Sequence, residues 1–224
     1  MRLEQLLYSQ GFGSRRQCAD LVHRGAVSIK GRVCDDPDEL IWPTEAFEFS
    51  VGDSVWPYFA KAVLLMHKPA GFECSQRPAH HPSVYSLLPE PLRFRGVQCV
   101  GRLDVDTTGL LLLTDDGALI HRLTSPKRHV PKVYEIQCAQ ALSQSQLDHL
   151  TQGVVLHDEP KAVRPTACER TGERSLRMTL TEGKYHQVKR MVAAIGNQVA
   201  ALHRSHVGQL ALPSDLSPGQ WRWL

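Results

Sequence analysis

Leu110 to Leu113 are four consecutive leucines, a run too apolar for a surface loop, and they predict a strand buried in the core. Before them, Val97 to Val100 also has strand character. Between the two lies Gly101-Arg102-Leu103-Asp104-Val105-Asp106-Thr107-Thr108-Gly109, a turn bracketed by glycines. It points one carboxylate, Asp104, out of otherwise apolar surroundings, so Asp104 is expected at the rim of a core.

Spacing alone leaves three uses for that carboxylate. Asp104 and Asp106 could bond nearby backbone amides in a turn, as aspartates often do, and the pattern by itself favours this reading. Asp104 could be catalytic. It could also bind calcium, since Asp104, Asp106, Thr108, Gly109 and Asp115 fall on positions 1, 3, 5, 6 and 12 of an EF-hand loop, with apolar Leu111 at position 8. Position 12 usually carries a bidentate Glu, however, which reaches one methylene further than Asp115. An EF-hand also needs an amphipathic helix on each side, whereas the flanks here are strand-like.

A chain of 224 residues with 42% apolar content has room for one medium domain plus a small one, each folded. No apolar run approaches the ~20 residues that cross a bilayer, and Met1-Arg2-Leu3-Glu4 is not the start of a signal sequence, so a cytosolic (cytoplasmic) protein is expected. The six cysteines are scattered without a Cys-x-x-Cys pair, which disfavours a zinc knuckle or a disulfide framework. The net charge of +3 says little about partners, but its distribution says more. Residues 1–33 hold six basic residues against two acids, and residues 34–59 hold seven acids with no Lys or Arg. Segregation of this kind fits an early positive face for a polyanion, or a merely solvated charged surface.

Along the chain, Leu3, Leu6 and Leu7 predict a helix broken at Gly11-Phe12-Gly13. A second helix follows with Ser14 as its N-cap and Gly25 as its stop, packing through Ala19, Leu21 and Val22. Ala26 to Ile29 and the turn Lys30-Gly31 predict a hairpin. Residues 35–60, acidic and with three prolines, read as the end of that module and a linker. Ala62 to Met66 is a buried strand running into the turn Lys68-Pro69-Ala70-Gly71. Helices are expected at Ser83 to Leu88, Ala118 to Leu123 and Ser143 to Leu150. A further helix presents the face Tyr185, Val188, Met191, Val192 and Ile195. Strands are expected at Val133 to Cys138, Val154 to Leu156, Leu176 to Leu180, Val199 to Leu202 and Val207 to Leu212. Many strands with few helices predict an α+β fold: a mixed, mainly antiparallel sheet flanked by helices, behind a small N-terminal module.

Gly101-Arg102-Leu103-Asp104, followed by Thr107-Thr108-Gly109-Leu110-Leu111-Leu112-Leu113-Thr114-Asp115-Asp116-Gly117, resembles the signature of the pseudouridine synthases that modify ribosomal RNA. In that family the matching aspartate is catalytic, which implies that role for Asp104. Arg2-Leu3, Ser14-Arg15-Arg16 and Gly25-Ala26-Val27-Ser28-Ile29-Lys30-Gly31 resemble the S4 RNA-binding domain, with Lys30 in place of the usual Asn. The resemblance spans nearly the whole chain and implies an S4-like RNA-binding domain with an acidic linker over 1–59 and a catalytic domain over 60–224.

Making pseudouridine breaks the bond from ribose to the base nitrogen, turns the uracil and rejoins it through a ring carbon. No electrons or outside atoms are needed. A carboxylate can trap the sugar carbon or the pyrimidine ring covalently, or can stabilise and deprotonate the sugar as the base departs. Either use places Asp104 in a site closed to water, which calls for a cation beside it. The stretch Glu182-Gly183-Lys184-Tyr185-His186-Gln187-Val188-Lys189-Arg190-Met191 resembles the family motif that supplies this cation, and Lys189 holds the matching position. Alone it would read as a basic helix start facing solvent or phosphate. Many relatives carry Arg there; Lys, with Thr107-Thr108-Gly109 after the aspartate, resembles the branch acting on small-subunit (16S) ribosomal RNA. Lys132-Val133-Tyr134 resembles the strand whose tyrosine packs on the target base, and Arg102 the residue that helps push the target nucleotide out of its helix.

The residues expected to face RNA are Arg2, Ser14, Arg15, Arg16, Arg24 and Lys30 in the first module. In the second they are Arg122, Lys127, Arg128 and Lys132 in one basic run, then Lys184, His186, Gln187, Arg190 and Arg204. His203 with His206, and His80 with His81, lack a His-Glu-x-x-His helix and a third ligand, so no metal is expected. Gly11-x-Gly13 follows a helix rather than a strand, and no nucleotide cofactor is implied. The implied partner is ribosomal RNA within a partly assembled small subunit, bound by a monomer.

Overall fold

The computed structural model describes residues 1–44 and 46–224. They form two compact units, one of residues 1–62 with 88–98 and the other of residues 63–87 with 99–224. Among the described residues no helix is long and apolar enough to cross a membrane.

In the first unit, α1 (Leu3–Ser9) and α2 (Arg15–His23) bury Leu3, Leu6, Leu7 and Val22 in one core. Ser14 caps α2 by accepting the Gln17 N–H at 3.4 Å, and the Gln17 side chain accepts the Ser14 N–H in return at 2.8 Å. β1 (Val27–Ile29) and β2 (Arg32–Cys34) form the expected hairpin. Its two turn residues have φ of +52° at Lys30 and +78° at Gly31, the left-handed pair that matches strand twist. Lys30 thus holds a backbone conformation that Asn adopts more easily.

The stretch read as a linker is instead partly sheet. β3 (Glu48–Val51) and β4 (Ser54–Pro57) pair with each other, and β3 pairs with β1, giving the order β2-β1-β3-β4. Phe49, 1% exposed, and half-buried Trp56 fasten this hairpin to the core, each ring meeting Phe12 edge-on. Glu48 and Asp53, the acids of this hairpin, lie on exposed positions. Residues 88–98, including α3 (Glu90–Phe94), also belong to this unit. Arg95 donates to Gln10 Oε1 and to the Phe59 carbonyl, both at 2.6 Å.

The second unit is built on a nine-stranded mixed sheet. Its elements along the chain are β5 (Val63–Lys68), β6 (Gln98–Cys99), β7 (Thr108–Thr114), α4 (Gly117–Thr124), β8 (Lys132–Cys138) and α5 (Gln144–Gln152). β9 (Ala167–Arg170), β10 (Ser175–Leu180), α6 (Gln187–Ala194), β11 (Val199–Val207), β12 (Leu210–Ala211) and β13 (Trp221–Trp223) follow. The main order is β13-β5-β7-β11-β8-β10-β9, with β12 beside β11. Only β7 and β11 run parallel in that path; its other pairings are antiparallel. The leucine run is β7, covered on both faces as a central strand requires.

Several boundaries differ from expectation for identifiable reasons. The two strands expected at 199–202 and 207–212 are one long strand, β11, and the short β12, because the polar stretch between them keeps pairing with β8 across two register shifts. Val154 makes a single bridge to Val163 rather than a strand. β9 and β13 alternate too briefly to stand out in sequence. Tyr185 is not on the α6 face: it precedes the helix, is 72% exposed and stacks on His186.

Where β7 meets β11, Gly109 at φ +109° lies against Arg204, and a Cβ there would stand 2.3 Å from the Arg204 carbonyl oxygen. Glycine is what lets the two strands close at the end of β7 that carries the Asp104 turn.

Candidate active site

β7, β8 and β11 bring their ends together around a pocket of about 200 Å³. It is smaller than the roughly 300–1,000 Å³ of typical small-molecule sites and suits one flat ring rather than a strand of nucleic acid. One wall is the turn before β7, with exposed Arg102 and Asp104; the opposite wall is the approach to α6, with His186 and Lys189. The floor is one face of the sheet. Tyr134 on β8 lies opposite Arg204 on β11, and Lys132 opposite Val207, so these side chains share that face.

Val188, Met191 and Val192 bury one side of α6 and thereby aim Lys189 at the turn. Its Nζ lies 3.1 Å from Asp104 Oδ2 and 2.6 Å from Asp106 Oδ1. The cation expected to serve one carboxylate serves two. His186 Nε2 lies 3.4 Å from Asp104 Oδ1, so this residue, expected to face RNA, meets the carboxylate. Its left-handed backbone, φ +46°, supports that placement at the start of α6. The sequence pattern gives Asp106 a place only as a turn residue or a calcium ligand; it does not reveal that the turn folds both carboxylates onto one ammonium.

The EF-hand reading does not survive this geometry. Residues 108–114 are an extended strand, which carries Asp115 about 20 Å beyond the Asp104 turn at some 3.3 Å per residue.

Lys68 is the residue that sequence reasoning passed over. It is fully buried, and its Nζ donates to the carbonyls of Thr107 (2.8 Å), Asp104 (2.9 Å), Pro69 (3.0 Å) and Val105 (3.2 Å). One ammonium thus gathers the backbone of the whole Asp104 turn. Burial lowers the Lys68 pKa, opposed by Cys74 and the two aspartates. The signal was available, because Leu64, Met66 and Lys68 alternate onto one inward face of β5. The turn is also held from behind, where Cys74 Sγ accepts the Leu103 N–H at 3.5 Å.

Burial pushes the Asp106 carboxyl up, but the Lys189 hydrogen bond and charge outweigh it and leave its pKa below 3.8. Burial likewise opposes charge on Lys189, and hydrogen bonds to Asp106 and Asp104 raise its pKa above 10.5 all the same. A depressed carboxyl contributes stability that is lost as pH falls through its folded pKa, and a raised ammonium contributes stability lost as pH rises through its own. The Asp106–Lys189 pair should therefore stay intact from roughly pH 4 to 10. Carbon-13 titration of the Asp106 carboxyl should give a midpoint below 3.8, moving upward in Lys189→Met; an unmoved midpoint would show that Lys189 does not hold it.

The remaining expected RNA contacts separate by exposure. Arg15, Arg16, Arg24, Lys30, Arg122, Lys127 and Arg128 are exposed, and Lys132 is half-buried in the pocket. Arg2 pairs with Asp38, Lys184 with Glu159 and Glu182, and Arg190 with Asp158. Ser14 is occupied as a helix cap. Gln187 and Arg204 are 3% and 4% exposed and line the pocket from within.

The S4 domain family matches residues 1–41 of the chain, and the RNA pseudouridylate synthase family matches residues 62–194. A ribosomal small subunit pseudouridine synthase A of Yersinia pestis is 36% identical over 222 residues, which cover 99% of this chain and 94% of that protein. An uncharacterized RNA pseudouridine synthase of Bacillus subtilis is 40% identical over 229 residues, covering 100% and 95%. A solved pseudouridylate synthase structure superposes with a TM-score of 0.70 at 33% identity, over 100% of this chain and 96% of that one.

Proposed function

The chain belongs to the RNA pseudouridine synthases that carry an S4 domain, and from that membership we propose that it modifies a uridine of small-subunit (16S) ribosomal RNA with Asp104 as the catalytic carboxylate. As a member of that family it is an intramolecular isomerase. The observation that carries the site assignment is the Asp104 carboxylate 3.1 Å from the Lys189 ammonium at the mouth of a base-sized pocket.

In this reading the S4 module and the exposed basic run hold structured RNA through phosphates, which favours binding at any sequence. Extruding one uridine costs a few kcal/mol, which those contacts offset while Arg102 enters the space left behind. Tyr134 lies flat against the base, an arrangement worth roughly 1–3 kcal/mol for a stacked base. Lys189 keeps Asp104 oriented toward the ribose and ring as the glycosidic bond breaks. The carboxylate serves by covalent capture or by stabilising and deprotonating the sugar; both need it in the same place.

The small-subunit target is supported by 36% identity to a small-subunit enzyme over nearly the full chain and by Lys at position 189. Mapping pseudouridine in ribosomal RNA from cells with and without this chain tests it. One position in 16S RNA should lose its modification. Loss confined to large-subunit RNA would move the chain to another branch of the family, and no loss anywhere would favour an RNA-binding or assembly role.

A further inference from the structure

Arg204 is the least expected group in the pocket wall. It is 4% exposed, and among the described residues only its Nε–H has a hydrogen-bond partner, the Leu110 carbonyl at 2.9 Å. Nη2 is shut off from solvent with no hydrogen-bond partner among the described residues. No described carboxylate lies within ion-pairing distance of it. The thiols of Cys74 and Cys99 feel its charge, but sulfur is a weak acceptor. Its neighbour Lys132 is a second cation on the same face, and burial together with the charge of Arg204 lowers the Lys132 pKa. A buried guanidinium left unpaired beside another cation is costly, and the cost disappears when a substrate brings an acceptor.

Arg204 faces Tyr134 directly across the β8–β11 ladder, so a ring lying on Tyr134 presents its edge to this side chain. Uracil carries carbonyl oxygens O2 and O4 on that edge. We propose that Arg204 is a further catalytic residue, donating a hydrogen bond to a carbonyl oxygen of the extruded uracil and stabilising the negative charge that the base acquires. The inference rests on the assignment of this pocket to the target uridine.

The chemistry asks for such a donor on every route open to Asp104. When the bond from C1′ to N1 breaks, its electron pair leaves with the base, and the charge spreads onto O2 and O4. When a carboxylate instead adds to C6, the pair displaced from the C5–C6 double bond reaches O4. The base then turns about its N3–C6 axis so that C5 takes the place of N1, and the same turn exchanges O2 with O4. A single fixed donor therefore meets a carbonyl oxygen before and after the turn. C5 bonds to C1′ and loses its proton while N1 gains one, so the sum is an isomerisation with no redox change.

The test uses full-length chain and ribosomal RNA transcripts of both subunits carrying tritium at uracil C5, which is released when C5 bonds to the sugar. Single-turnover release, RNA affinity and thermal midpoint are measured for wild type, Arg204→Lys and Arg204→Gln. Folded variants should lose about 100-fold or more in rate, as when an oxyanion donor is removed, with RNA affinity close to wild type and Lys retaining more activity than Gln. An unchanged rate in either folded variant overturns the proposal. Wild-type release from large-subunit RNA alone would overturn the target assignment instead, and the variants would then be compared on that RNA. If neither variant folds, the structure of Asp104→Asn chain bound to the active RNA decides. A guanidinium nitrogen within about 3.2 Å of O2 or O4 supports the contact, and the absence of any such nitrogen refutes it.

Discussion

Asp104→Asn will abolish isomerisation, with a loss of about 10⁴-fold or more, while RNA affinity stays close to wild type. Asn has nearly the same shape and keeps the turn's hydrogen-bonding capacity, but it neither captures a carbon centre nor takes a proton. Asp104 is partly exposed, and its ion pair with Lys189 is shared with Asp106, so removing the charge should change stability by no more than about 1 kcal/mol. Phosphate contacts elsewhere dominate affinity, and one carboxylate fewer beside a polyanion weakens nothing. Tritium release and filter binding on the same preparation read the two effects separately. Conversion at the normal rate would remove Asp104 from the mechanism.

Lys68→Met should be the most destabilising single change near the site. Hydrogen bonds from a charged donor contribute about 1.5–3 kcal/mol each, and an acceptor left buried without a partner costs about 1–3 kcal/mol. Four carbonyls converge on this ammonium. Against that stands the several kcal/mol spent on burying the charge, which Met does not incur. The balance is a loss of about 3–5 kcal/mol, since removing one side of a buried charged cluster leaves the other unsatisfied. For a domain of this size, that lowers the thermal midpoint by roughly 10–15 °C. Activity should fall even well below the new midpoint, because a 1 Å displacement of the reacting group costs about 10²-fold. A midpoint indistinguishable from wild type would mean that the turn is held by other contacts, such as the Leu103 N–H to Cys74.

What could be read from the sequence divides along physical lines. The leucine run, the Ser14 cap and the apolar face of α6 follow from local periodicity and capping chemistry, and the structure has each where expected except Tyr185, which precedes α6 instead of lying on its face. The Phe49–Trp56 hairpin was hidden because its acids lie on solvent-facing positions, so composition outweighed a two-residue alternation. Arg95 belongs with Gln10 and Phe59 through contacts far apart in sequence, which no local pattern encodes. The same holds for the site. Spacing around Asp104 favoured an ordinary turn, and only family resemblance linked it to Lys189. Asp106, Lys68 and Arg204 act through distances that arise once β5, β7 and β11 are neighbours.

The account stands on one spatial claim, that a uridine leaves its RNA helix and enters the pocket between the Asp104 turn and Tyr134. The structure of Asp104→Asn chain bound to its mapped target RNA measures this directly. It should show one base unstacked against the Tyr134 ring, with the residue 104 side chain about 3–3.5 Å from the ribose C1′ or the ring C6. A bound RNA whose bases all remain stacked, or whose extruded nucleotide lies elsewhere, would contradict it.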